Sequence, residues 1–170
     1  MFAIGDKIVY GSEGVYVVSE YACSPIDKND KRQFYILKPA HGPEGNVIYT
    51  PVDNERVVMR PIMTREEALA FIEQIPDVGI IEVDREKNRR EKYRETMHDA
   101  RGAQYVSIIK TVYQRREEFI KQKKRLPESD TEYERKAKFC LYGELSSSLD
   151  IPLAEVEGFI TERICSVENQ

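Results

Sequence analysis

The feature that most constrains this chain is a change of hydrophobic period near residue 61. Before it, short β-rich runs alternate with glycine, proline and polar loops. After it, apolar residues recur at three- and four-residue spacing. Two periods on one chain point to an α+β protein with strands and helices segregated along the sequence. A length of 170 residues allows one domain or two small ones.

Five strands are expected in residues 1–60. Lys7-Ile8-Val9-Tyr10 runs into Gly11-Ser12-Glu13-Gly14, whose glycines suit a hairpin, and Val15-Tyr16-Val17-Val18 continues as its return. Gln33-Phe34-Tyr35-Ile36-Leu37-Lys38, Val47-Ile48-Tyr49-Thr50 and Val57-Val58-Met59-Arg60 complete the set. Such short strands at close spacing predict a small, twisted five-stranded β-barrel of the SH3 or Tudor type. Its edges should be open to a partner strand, or to strand exchange with a second copy of a protein expected to be monomeric.

Residues 61–170 read as an all-α domain of about five helices, with the boundary between Arg60 and Met63. Thr64-Arg65-Glu66-Glu67 is a capping box that opens a helix ending near Pro76. A highly charged helix is expected from Asp84 to His98. Another runs from Gln104 to Lys124, with Val106, Ile109, Val112, Tyr113 and Ile120 at core spacing. Ser129-Asp130-Thr131-Glu132 reads as a second capping box, leading into Tyr133, Ala137, Cys140, Leu141 and Leu145. Asp150-Ile151-Pro152 begins the last helix.

The net charge of −4 argues against a nucleic-acid binder, but its distribution matters more than its sum. From Arg85 to Arg125, fourteen basic side chains face six acidic ones, a local net charge of +8. That excess fits contacts to phosphates. It fits equally a solvated helix face laced with ion pairs, or a surface for an acidic protein.

Other classes are disfavoured. No apolar run approaches the roughly 20 residues of a membrane helix. The opening residues lack the pattern of a signal peptide, and Cys23, Cys140 and Cys165 have no CxxC spacing. A cytoplasmic chain with reduced thiols is therefore expected. His41 and His98 lie outside any metal-ligand spacing, and no phosphate-binding glycine loop is present. A Cys140–His98 pair is conceivable, but Cys140 falls on an apolar helical stripe and reads as packing. The expectation is no catalysis, no cofactor, no metal and no small-molecule substrate.

Ile4–Tyr10 with Gly14-Val15, then Tyr35–Lys38, Thr50–Asn54, Ile108–Tyr113 and Gly143–Leu145, in this order, resemble the CarD (CdnL) family of bacterial RNA polymerase-binding transcription regulators. Ile4-Gly5-Asp6-Lys7-Ile8-Val9-Tyr10 followed by Gly14-Val15 is similar to the family's opening strand and turn. Tyr35-Ile36-Leu37-Lys38 and Thr50-Pro51-Val52-Asp53-Asn54 are similar to its later strands. Ile108-Ile109-Lys110-Thr111-Val112-Tyr113 and Gly143-Glu144-Leu145 match runs in its helical half. Between Met97 and Gly102 the chain is shorter than the family pattern.

The resemblance implies an N-terminal module that binds the β1 lobe of the RNA polymerase β-subunit, in part by strand addition. It implies a helical module that contacts promoter duplex DNA near the −10 element and modulates open-complex stability. The polymerase-facing residues would be Val47, Ile48 and Tyr49, with Tyr49 where the family has an arginine. Tyr49 fits a half-buried barrel side chain equally well. The family places a tryptophan wedge at the position of Arg89, and this chain has no tryptophan. Arg89 would then enter a narrow minor groove electrostatically. Arg90, Lys92, Tyr93, Arg94 and Lys136 complete the implied DNA set, although Tyr93 fits a core aromatic and the cations fit a solvated face. The alternative is a polymerase-bound protein-interaction module that never touches DNA.

Overall fold

A computed structural model describes residues 1–168. Five strands, β1 (Lys7–Tyr10), β2 (Gly14–Cys23), β3 (Gln33–Pro39), β4 (Ile48–Pro51) and β5 (Met59–Pro61), form one antiparallel sheet in the order β4-β3-β2-β1-β5. The β1–β2 turn depends on Gly11 at φ +49° and Gly14 at φ +104°, a region costly for other residues. The five strands are those expected. β4 and β5 stand at opposite edges, so the pairing leaves the sheet open where a closed barrel was expected.

Both faces of the central strands are covered. Ile8, Tyr16, Val18, Tyr35 and Leu37 pack on one face, with Phe2, Tyr21 and Ile48 around them. Val9 and Val15 point the other way, against Ala100, with Val58 and Ile62 beside them. Consecutive buried residues such as Ile8 and Val9 thus follow from a strand sandwiched between its own core and the helical half.

Five helices follow: α1 (Arg65–Gln74), α2 (Arg89–His98), α3 (Gly102–Lys121), α4 (Glu128–Leu149) and α5 (Val156–Glu168). The Thr64 capping box forms, with Glu67 N donating to Thr64 Oγ1 at 3.2 Å and Thr64 N donating to Glu67 Oε2 at 2.7 Å. α4 touches each of the other four helices and β2. Its Ala137, Leu141, Leu145 and Leu149 meet Ile72, Tyr93, Met97, Tyr105, Ile108 and Val112 in one core. Each such large side chain contributes about 1.5–3 kcal/mol on burial. No helix among the described residues is long and apolar enough to cross a membrane.

Several expectations need correction. The second capping box does not form: α4 starts at Glu128 behind Pro127, which places Ser129–Glu132 inside the helix. Asp130 turns instead into the bundle, where it is fully buried. The charged stretch is a short 3-10 turn at Glu86–Asn88 followed by α2, rather than one helix from Asp84. The next helix starts at Gly102 and stops at Lys121, and its Tyr113 and Ile120 are each 63 % exposed rather than in the core. Pro152 precedes a 3-10 turn, so the last helix begins only at Val156.

Candidate functional site

The first candidate surface is the free edge of β4. On its inner side β4 pairs with β3, Tyr49 opposite Ile36 and Thr50 opposite Tyr35. Among the described residues, no strand pairs with its outer side. Alternation buries Thr50 and leaves Tyr49 half exposed, while Ile48 packs against the sheet core. Val47 lies just before the strand and is half-buried. Pro51 ends the strand and has no N–H to offer a neighbour. What remains is a short row of backbone donors and acceptors with one aromatic side chain standing out, the requirement for strand addition.

The second is the outer face of α2 and the adjoining part of α4. Arg90 Nη2 lies 3.0 Å from Glu132 Oε2, and Lys136 Nζ donates to Glu132 Oε1 at 2.9 Å. Arg94 pairs with Glu91 on its own helix. Lys92 is exposed and forms no ion pair among the described residues. Four of the six implied DNA residues therefore lie on the exposed surface of α2 and α4, but three of them already have acidic partners.

Arg89 and Tyr93 are not in that region. Arg89 is 9 % exposed. Its Nε donates to Glu86 Oε2 at 3.1 Å, and its guanidinium lies 5.9 Å from the Tyr93 ring centroid. Tyr93 is fully buried and donates to Asp130 Oδ1 at 2.7 Å. Burial and the Asp130 carboxylate push its hydroxyl well above the ordinary tyrosine range. Arg115 joins the network, donating from Nε to Asp130 Oδ1 at 2.8 Å and from Nη2 to Glu86 Oε1 at 2.6 Å. Arg89, the residue expected to enter the groove, thus lies on the inward side of α2 against Glu86 and Tyr93, whose own bonds to Arg115 and Asp130 lead on to α3 and α4. The sequence held a signal for this: Arg89, Tyr93 and Met97 repeat every four residues, the inward stripe of a helix.

A junction between sheet and helices went unread in the sequence. Arg60 of β5 reaches Glu144 of α4 with a two-pronged ion pair, Nη1 to Oε1 at 2.6 Å and Nη2 to Oε2 at 2.8 Å. Glu144 is fully buried and also accepts from Met63 N at 3.0 Å. Arg60 donates further to Ala100 O, at 3.0 Å from Nε and 2.7 Å from Nη2. Burial alone would lower the Arg60 pKa, yet the Glu144 hydrogen bonds and charge raise it above its ordinary value. Ala100 takes φ +51° in the tight α2–α3 turn.

Around this pair, Phe139 sits against Gly14 and Gly42, and His41 Nε2 lies 3.0 Å from Ser147 Oγ. Cys140 Sγ donates to Ser12 O at 3.3 Å, rather than pairing with His98. Burial pushes its thiol up to about 12, so it stays protonated at neutral pH. A glutamate within the apolar stripe Leu141–Leu145 was the available clue, since a buried carboxylate requires a cation.

Residues 2–63 match the family described as CarD-like/TRCF RID domain, which is consistent with a CarD-like family member. That domain is a protein-interaction domain, and it suggests RNA polymerase as the partner. The match covers the whole sheet and ends two residues beyond β5. No curated protein matches the chain.

Proposed function

We propose that this chain, with its CarD-like RID domain as the premise, is a transcription regulator that works by binding rather than catalysis. The sheet of residues 1–60 adds its β4 edge, at Val47, Ile48 and Tyr49, to the β1 lobe of the RNA polymerase β-subunit. The helical domain of residues 61–170 then lies against promoter DNA near the −10 element and alters the lifetime of the open complex. It acts as a monomer in the bacterial cytoplasm. The observation that carries the reading is the unpaired β4 edge inside a sheet that matches a polymerase-interacting domain.

The DNA half is supported by the cations exposed on α2 and α4, namely Arg90, Lys92, Arg94 and Lys136. With Arg89 and Tyr93 inside the bundle, contact is to the outside of the duplex, and no side chain at position 89 props open a base step. The ion pairs on Glu132 and Glu91 favour a second reading, in which the chain touches only polymerase.

The test separates the two surfaces. Tyr49→Glu places a charge on the strand edge and is expected to abolish co-purification with the β-subunit, with the thermal midpoint unchanged. Retention of the β-subunit by this variant would move the interface off β4. If wild-type protein binds polymerase yet leaves promoter DNA unprotected and uncross-linked, the second reading stands.

A further inference from the structure

The tip of the α3–α4 hairpin offers what α2 largely lacks, a group of cations without acidic partners. Along α2 and the middle of α3, the bundle's own acids hold Arg89, Arg90, Arg94, Arg115 and Arg116 in ion pairs. Lys110 is engaged as well, donating to the carbonyls of Ile75, Pro76 and Val78. Lys121, Lys123, Lys124 and Arg125 are different. All four are exposed, and none forms an ion pair among the described residues. Four like charges within five residues repel one another, and the nearby Glu118 and Glu128 do not reach them.

The tip is also fixed in place. Lys123 N donates to Ile120 O at 3.0 Å and Lys124 N to Phe119 O at 2.9 Å, the double closure of a Schellman-type helix end. On the far side Leu126 packs into the helical core and Pro127 precedes α4. The closure requires a left-handed residue, and the chain places Lys123 there at φ +54°, where glycine is favoured. A cation thus stands at a position where local folding prefers no side chain.

We propose that this tip is a phosphate-binding point for duplex DNA. Three of the four cations are lysines, which bind phosphate oxygens as point charges. Lysine is depleted at protein interfaces, which favours DNA over an acidic protein partner. The position is apt as well. Glu132, which holds Arg90 and Lys136, is the fifth residue of α4, about 6 Å along the helix axis from its start. The tip and the α2 face therefore lie at the same end of the hairpin and can meet one duplex. This inference rests on the reading that the helical half touches DNA, and it names the residues that dominate the contact.

The test uses the full chain and a labelled duplex of random sequence, with binding followed by anisotropy across a salt series. Replacing Lys121, Lys123, Lys124 and Arg125 together by alanine should flatten the dependence of log K on log salt by about three to four and weaken binding more than tenfold at low salt. Replacing Arg90, Lys92, Arg94 and Lys136 should do less. Lys123→Gly relieves the left-handed residue, so it should raise the thermal midpoint by about 2 °C while weakening binding several-fold. Cations serving only the dipole of α3 would give no loss of DNA affinity in either tip variant. If wild-type protein binds duplex and the tip variant keeps its slope, the tip is overturned and the DNA reading stands. A wild-type chain without duplex affinity at low salt overturns both. Loss of polymerase association instead of DNA affinity overturns the tip in favour of an acidic protein partner.

Discussion

The free edge of β4 and the outer face of α2 are both candidate contact surfaces, but they expose different kinds of group. The edge offers backbone donors and acceptors, which no other strand among the described residues pairs. The α2 face offers charges, which its neighbours can and do neutralise. A surface built on backbone follows from strand order alone. A surface built on charge exists only after every ion pair has been assigned. A third region, the Arg60–Glu144 junction, ties β5 to α4 through a buried ion pair.

The largest expected effect breaks that junction. Glu144→Ala leaves Arg60 beside an empty acceptor, and removing one partner of a buried pair costs about 3–5 kcal/mol. Urea unfolding of the single variant, and of Arg60→Met combined with Glu144→Leu, would measure it. Recovery of most of the loss in the double variant is expected. A single-variant loss below about 1 kcal/mol would mean the two regions are not held together by this pair.

Next comes a contrast within α2 itself. Arg89→Ala is expected to destabilise by about 2 kcal/mol, because it strips packing from Tyr93 and a buried partner from Glu86. Arg94→Ala, exposed five residues on, should cost less than about 0.5 kcal/mol. Equal losses would erase the distinction between inward and outward faces of this helix.

The smallest effect reports the seating of the sheet on α4. Burial, aided by the Lys7 charge, holds the His41 pKa below its ordinary value despite the Gly143 hydrogen bond. A lowered folded pKa means the unfolded chain takes up the proton first. The contribution is therefore present above the ordinary histidine value of about 6.5 and is lost as pH falls through the folded one. Stability measured from pH 7.5 to 5 should decline more in wild type than in His41→Asn. Identical slopes would place His41 in solvent.

Much of the fold was legible because it rests on local pattern. The Thr64 capping box and the Gly11–Gly14 turn needed only neighbours in sequence. The Ser129 box failed because Pro127 set the helix start earlier, and because Asp130 had better partners in Tyr93 and Arg115. Tyr113 and Ile120 fit the core spacing of α3, but no element among the described residues buries them. Only part of the candidate site was legible. Tyr49 lies on an unpaired edge, which the short strands foreshadowed, whereas the inward side of Arg89 shows only once α2 is packed against its neighbours.

The sequence by itself determined where strands give way to helices, which residues carry charge, and the RID-domain character of residues 2–63. These are properties of composition and short-range order. Tertiary structure alone decided which charges remain unpaired. Arg115 and Asp130 are fifteen residues apart, and Arg60 and Glu144 eighty-four. Coulomb attraction acts over a few ångströms in space, so it is invisible along the chain until packing brings such partners together.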